Sequence, residues 1–226
     1  MVKFHHEGHE VFIGEMTYDK TDKFSPFAVY QRYNMWFQEK DSCPPHLCKR
    51  ADEIRRLPIT TPPLPWIRLP LPIIGGLVEV GFSKMSDFLL VISHNGRGVF
   101  DCSTGKRVAR DDSPLDNTAT WHDYTRLQAQ GIGPISSEMV SLSGLWGGDL
   151  PKQTQDGWQS ETLVLDRPDQ TLILQSPEQK SIWDTCSTLC VTIIGRESEV
   201  RAFGFSYSGK NIVLATSDSL LLWKRE

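Results

Sequence analysis

Three segments of the chain repeat one pattern, and this repetition limits the possible folds more than any other feature. The segments are 78–101, 161–184 and 200–223, and their aligned positions Val78, Glu161 and Arg201 are separated by 83 and then by 40 residues. Each segment has a short strand, a polar turn, an apolar strand that ends in Ser or Thr, a second turn, and a strand that ends in an aromatic residue. A sheet unit of this size cannot bury its own faces, so the copies are expected to stack on one another.

The last copy, VRAFGFSYSGKNIVLATSDSLLLW at 200–223, resembles a blade of the WD-repeat family. The first copy closes in VFDCSTGK at 99–106 and is similar to propeller blades that end in Asp-x-x-Thr-Gly. The Gly-His dipeptide of the family is absent, and Trp-Asp stands at the expected place once, at 183–184. The resemblance implies an all-β fold, a small or degenerate β-propeller-like array of four-stranded sheets with one short helix. A β-sandwich is the alternative.

A single domain over 1–226 is consistent with the length of the chain. We expect an irregular part over 1–75 and repeated β-sheets over 76–226. The irregular part is expected to contain a strand at 27–37, a helix at 44–57 and a proline-rich strap at 58–72 that packs as an extended segment. One face of the helix is apolar and is expected to pack against the sheets; it is formed by Leu47, Ala51, Ile54 and Leu57. A diverged repeat is expected between the first two copies, with 138–145 as one of its strands.

The bulk composition excludes several classes of function. The net charge is −4, which argues against nucleic acid as a partner, because such proteins need a basic face. No apolar run reaches the roughly 20 residues that span a bilayer, and the N-terminus lacks the apolar core of a signal peptide. Five cysteines are an odd number at irregular positions. We therefore expect reduced thiols, a cytoplasmic location and no contact with a membrane.

No metal, cofactor or catalytic site is predicted. The metal candidates have spacings that fit no known motif; they are Cys43, His46, Cys48, Cys186 and Cys190, and separately His5, His6 and His9. The glycine-rich turns at 96–98 and 144–149 match no nucleotide-binding pattern and predict tight turns instead. His122 and Asp123 are adjacent on a strand, so their side chains are expected to point to opposite faces and not to pair.

The function favoured by these observations is binding of a protein partner by loops on a rigid, non-enzymatic β-scaffold. The predicted binding residues are aromatic or polar side chains of the enlarged middle segment: Trp121, His122, Tyr124, Trp146 and Asp149. Tyr and Trp most often anchor interfaces. An inhibitor or immunity-type protein would suit an acidic chain without catalytic motifs.

Two other functions remain open. The first is a hydrolase or carbohydrate-active enzyme that uses the loops 121–124 and 146–149, with Asp123 and Asp149 as paired carboxylates. The second is self-assembly through the strap at 58–72. No small-molecule ligand follows from the sequence.

Overall fold

The structure, a computed structural model, describes residues 45–116, 119–177, 182 and 191–226, and side chains from residue 48 onward. These residues all belong to one compact unit, 39–226. The predicted strand at 27–37 and the cysteine and histidine candidates at 5–9, 43, 186 and 190 lie outside the described residues.

The described residues form one α-helix and fifteen strands. The helix is α1 (Pro45–Arg56), and the strands, in chain order, are β1 (Ile67–Leu69), β2 (Leu77–Phe82), β3 (Phe88–Ser93), β4 (Gly96–Asp101), β5 (Arg107–Asp111), β6 (His122–Asp123), β7 (Gln128–Gln130), β8 (Met139–Ser141), β9 (Ser143–Gly144), β10 (Gln159–Asp166), β11 (Asp169–Gln175), β12 (Thr192–Glu197), β13 (Val200–Phe205), β14 (Asn211–Thr216) and β15 (Leu220–Lys224). A single 3-10 turn, Gly133–Ile135, separates β7 from β8.

The strands pair into four antiparallel sheets, which we number in chain order. The first has the order β5-β4-β3-β2-β9, the second β6-β7-β8, the third β10-β11-β12 and the fourth β1-β15-β14-β13. The all-β expectation is therefore confirmed for the described residues. Two of the three repeats, 78–101 and 200–223, form three consecutive strands each, as predicted.

In the second repeat the first two predicted strands are present as β10 and β11, whereas residues 183 and 184 of the predicted third strand lie outside the described residues. The third strand of this sheet is β12. The middle segment differs from the prediction. The expected single strand at 138–145 is divided into β8 and β9, which belong to different sheets. The division follows from packing, because β8 pairs with β7 whereas β9 crosses over to pair with β2.

The first, third and fourth sheets are covered on both faces, the second is covered on the face toward the first, and neighbouring sheets share apolar cores. Alternate side chains of β3 show the arrangement: Leu89 and Val91 pack in the core between the first and fourth sheets, whereas Leu90 and Ile92 pack against the second sheet. A further core joins the third and fourth sheets. Strands β2 and β14 are buried along their whole length, as expected for strands with a covered face on each side.

Helix α1 covers the outer face of the third sheet. Ala51 and Ile54 are buried against Ile173 and Ile193 of that sheet, which confirms the predicted apolar face of the helix. The guanidinium of Arg196 donates hydrogen bonds to the carbonyls of the last helical turn. A cation at this end also interacts favourably with the helix dipole.

The strap at 58–72 contributes more than the extended packing segment predicted from its prolines. Its residues Ile67–Leu69 form β1, which adds to the outer edge of the fourth sheet by pairing with β15. The chain therefore completes its last sheet with its first described strand. Trp66 is buried beside this strand and packs edge-on against Trp158, with ring centroids 5.5 Å apart.

Cys48 on α1 is disulfide-bonded, which corrects the expectation that the thiols are reduced. Cys102 is a free, buried cysteine. Within the described ranges, no helix has the length and the apolar composition of a membrane span.

Candidate functional site

A buried contact between a carboxyl group and an imidazole joins the first and second sheets. Val80 and Phe82 of β2 face the fourth sheet, so the alternate residue Glu79 faces the second sheet. There its Oε2 lies 2.6 Å from Nε2 of His122, the first residue of β6, and both side chains are fully inaccessible to solvent. Burial raises the pKa of Glu79, and the hydrogen bond to His122 partly opposes this shift.

The β6–β7 turn places an aromatic ring directly on His122. The carboxylate of Asp123 accepts hydrogen bonds from the backbone N–H groups of Thr125 and Arg126, at 3.0 and 2.9 Å. Such a local bond fixes the turn. As a result the ring of Tyr124 packs against that of His122 at a tilt of 50°, with ring centroids 4.0 Å apart. The opposite orientations of His122 and Asp123 were predicted from the sequence and are confirmed.

The turn after β9 places a second aromatic residue at the same site. Gly144 and Gly147 exchange backbone hydrogen bonds of 2.9 and 3.1 Å, so Leu145 and Trp146 form the tip of a tight hairpin. Gly147 has a φ of +114°, a conformation that favours glycine and that was expected for this turn. The ring of Trp146 contacts the rings of Tyr124 and His122, with centroids 5.1 and 5.8 Å away.

Gly144 is required for the close approach of β9 to the ion pair. A Cβ at this position would lie 2.7 Å from Cα of Glu79 and 2.3 Å from the carbonyl oxygen of Val78. Because only glycine permits this approach, the hairpin with Trp146 lies directly beside the strand that carries Glu79.

Trp121 completes the aromatic cluster, which we define as Trp121, Tyr124 and Trp146 around His122. Its ring centroid lies 6.0 Å from that of His122. The guanidinium of Arg97 on β4 lies over the Trp121 ring, 4.4 Å from the ring centroid. Arg97 is itself held by an ion pair of 3.0 Å with Asp111, so this cation–π contact helps to fix Trp121.

Four of the five predicted binding residues are thus brought together, and Asp149 is not. The carboxylate of Asp149 forms an exposed ion pair of 2.9 Å with Lys152, whereas Asp123 lies 3.9 Å from Arg126. Among the described residues, no hydrogen bond or ion pair joins Asp123 to Asp149. The two carboxylates that the enzyme hypothesis requires are each engaged locally.

Sequence reasoning missed Glu79. A signal was present, because Glu79 is a charged residue within an apolar strand of the first repeat, where the aligned positions in the other repeats are Thr162 and Ala202. A buried carboxylate needs a partner, but the sequence does not show that the partner is His122. Within the described ranges, no group of three or more His, Cys, Asp or Glu side chains is arranged to hold a metal ion.

Comparison with protein-family models, with curated proteins and with solved structures found no match to this chain.

Proposed function

We propose that the protein is a non-enzymatic binding scaffold that contacts a protein partner through the aromatic cluster and the Leu145–Trp146 hairpin. The observation that carries this proposal is the support beneath the cluster. Tyr124, which is 38% exposed, and the half-buried Trp146 rest on a fully buried His122–Glu79 pair. Aromatic rings that are held in place before binding lose little conformational entropy at an interface.

The exposed apolar side chains of the same segment favour a macromolecular partner. Leu145 at the hairpin tip and Met139 on β8 are 45% and 51% exposed. Large apolar residues on loops next to half-exposed aromatic rings are typical of interfaces. An inhibitor or immunity-type role is our preferred form of this activity, since it requires a rigid binding face and no reacting groups.

The ion pair itself does not favour an enzyme. A carboxylate and an imidazole 2.6 Å apart are suited to proton transfer, but neither side chain is accessible to solvent. A substrate could reach them only after the aromatic cluster had moved. Asp123 and Asp149 form separate surface ion pairs, so the hydrolase alternative gains no support from the contacts of these residues.

The scaffold fits a degenerate four-sheet propeller-like array. Chain order gives the sheets the sequence first, second, third, fourth, and shared cores join the first to the second, the third to the fourth, and the fourth to the first. These are three of the four neighbour contacts that a ring in this order requires. The addition of β1 to the last sheet links the two ends of the array, which is consistent with radial repetition.

The disulfide bond of Cys48 bears on the compartment in which the protein works. Disulfide bonds persist in oxidising compartments and are rare in the cytosol, and Cys48 is disulfide-bonded. Thiol trapping of Cys48 in intact cells, followed by peptide mapping, determines whether the bond exists where the protein works.

Photo-cross-linking from the hairpin tip tests the binding proposal. p-Benzoylphenylalanine in place of Leu145 is expected to capture a discrete partner in the source cells. The same group in place of Met85, which is 84% exposed on the β2–β3 turn, serves as the matched control and should not capture it. The double substitution Tyr124→Ala and Trp146→Ala should then reduce capture from position 145 at least about 30-fold, since the loss of one hot-spot residue costs about 2 kcal/mol or more.

Tyr207→Ala is the control for that double variant, because Tyr207 is an aromatic residue of similar exposure, 41%, on a turn of the fourth sheet. Equal capture by the double variant and by Tyr207→Ala would show that the aromatic cluster is not the binding face.

A further inference from the structure

We propose that the aromatic cluster receives an arginine side chain of the protein partner in the corner between Tyr124 and Trp146. The proposal rests on the binding function proposed above and names the group that this face recognises. Binding of a short arginine peptide to the corner is measurable without the natural partner.

The rings of Tyr124 and Trp146 form the two walls of this corner. Their planes stand at 89° to each other, and their centroids are 5.1 Å apart. The ring of Tyr124 packs against His122, but Tyr124 is still 38% exposed and Trp146 is half-buried. Part of each side chain therefore remains open to solvent, and a flat group in the corner can contact both rings.

The protein contains two internal sites in which a guanidinium lies over an indole ring and also binds a carboxylate. The sites consist of Arg97 over Trp121 with Asp111, and of Arg225 over Trp66 with Asp156. The distances from the guanidinium carbon to the ring centroid are 4.4 and 4.8 Å. Among the described residues, no cation lies over the ring of Tyr124 or of Trp146. The corner therefore offers an incoming arginine the kind of contact that the protein makes with its own arginines.

The electrostatic field at the corner is negative. Burial, then the charges of Glu79 and Asp116, raise the pKa of the Tyr124 hydroxyl. A charge raises the pKa of a phenol when it is negative and close to it. The two carboxylates therefore attract a cation to the corner and disfavour an acidic side chain there.

The basic side chains around the cluster do not cancel this field, because each has a carboxylate within ion-pair distance. The pairs are Arg97 with Asp111 at 3.0 Å, Arg126 with Asp123 at 3.9 Å, and Lys152 with Asp149 at 2.9 Å. The charges within each pair offset one another, and the field of Glu79 and Asp116 remains.

Arginine fits the corner better than lysine does. Its guanidinium is flat, weakly hydrated and able to stack on aromatic faces, whereas the ammonium of lysine is a strongly hydrated point charge. Leu145, next to Trp146 at the hairpin tip, is 45% exposed and offers an apolar surface to the methylene groups of an arginine side chain. Arginine is also enriched at protein interfaces.

The first test is a titration of the ¹⁵N-labelled full chain with acetyl-Gly-Arg-Gly-amide. It follows the indole N–H resonance of Trp146, which is assigned with Trp146→Phe. The control peptide contains citrulline, which keeps the shape of arginine without its charge. We expect the resonance to shift with the arginine peptide and to stay in place with the citrulline peptide. The same shift with both peptides, or no shift with either, overturns the proposal.

Fluorination tests whether the ring face binds the cation. Tetrafluorotryptophan has nearly the shape of tryptophan, but its fluorine atoms withdraw the electron density that attracts a cation. At position 146 it should raise the dissociation constant of the arginine peptide, measured from the backbone amide shift of Tyr124, about two- to fivefold. Trp158 is buried in the core between the third and fourth sheets, so the same replacement at position 158 is the matched control and should leave the constant unchanged. An unchanged constant at position 146, or equal changes at both positions, overturns the proposal.

Cross-linking from position 145 separates this inference from the proposed function. Mass spectrometry of the captured complex should show that the attached segment of the partner contains an arginine. Replacing that arginine with glutamine should reduce capture, whereas replacing an arginine elsewhere in the partner should not. Capture through a segment without arginine would support the proposed function and overturn the arginine site. Binding of the arginine peptide at the corner with no capture in cells would support the arginine site and remove the proposed function.

Discussion

Glu79 and His122 lie on strands of different sheets and meet at 2.6 Å in a region from which solvent is fully excluded. The contact links β2 of the first sheet to β6 of the second, a strand of two residues. A buried pair of this kind contributes little net stability compared with an apolar pair, but the loss of one member leaves a buried charge without its partner. This asymmetry determines the expected stabilities of Glu79→Gln and His122→Ala.

Glu79→Gln is expected to leave the free energy of unfolding at neutral pH within about 1.5 kcal/mol of the original value, or to raise it. The glutamine keeps the shape and a hydrogen bond to His122 and removes the cost of a buried charge. Urea unfolding followed by circular dichroism measures the difference.

The same variant should also change how stability depends on pH. Because burial raises the pKa of Glu79 above 4.5, its favourable contribution is fully present below that ordinary value and is lost as the pH rises through the higher pKa of the folded state. The unaltered protein should therefore gain stability relative to Glu79→Gln as the pH is lowered from about 8 to about 5. A constant difference over this range would contradict the assignment.

His122→Ala is expected to lower the free energy of unfolding by about 3–5 kcal/mol, since Glu79 would remain buried with no partner. His94→Ala is the matched control, because His94 is exposed, and it should change stability by no more than about 0.5 kcal/mol. Similar losses in the two variants would show that the ion pair has no structural role.

Gly144→Ala is expected to lower the free energy of unfolding by about 1–3 kcal/mol, because the added Cβ would overlap the backbone of Val78 and Glu79. It should also shift the indole resonance of Trp146, which follows on the same hairpin. At Gly75 a Cβ would meet nothing within 4 Å, so Gly75→Ala should be neutral or stabilising by about 0.4–1 kcal/mol. If Gly75→Ala were less stable than Gly144→Ala, the result would contradict the packing of β9 on β2.

Trp66→Ala is expected to destabilise the protein by about 3–5 kcal/mol, because the ring is buried against Trp158 and Phe205. Ile73 directly follows the strap but is 90% exposed, and Ile73→Ala should change stability by no more than about 0.5 kcal/mol. Thermal unfolding of the Trp66→Ala and Ile73→Ala variants measures this difference in stability. Equal, small effects would mean that the strap is not part of the folded core.

The sequence by itself determined the local elements with a strong period. The alternating apolar residues of 78–101 and 200–223 predicted three strands each, and the apolar spacing of Ala51 and Ile54 predicted the helix and its packing face. It also predicted that His122 and Asp123 would point in opposite directions, since successive residues of a strand do so. These properties depend on a few neighbouring residues, so one chain segment contains the information.

Only the tertiary structure decided which distant segments meet. Strand β1 pairs with β15, and Glu79 contacts His122. The segment 138–145 is divided because β8 pairs with β7 whereas β9 pairs with β2. Apart from the pairing of β7 with β8, these contacts join residues that are far apart in the chain. Apolar burial drives sheets together without specifying which faces meet, whereas the choice of partner depends on shape and on the need of a buried charge for its counterpart. The sequence therefore shows a charged residue, Glu79, in an apolar strand. Only the packing of the second sheet on the first shows that its partner is His122.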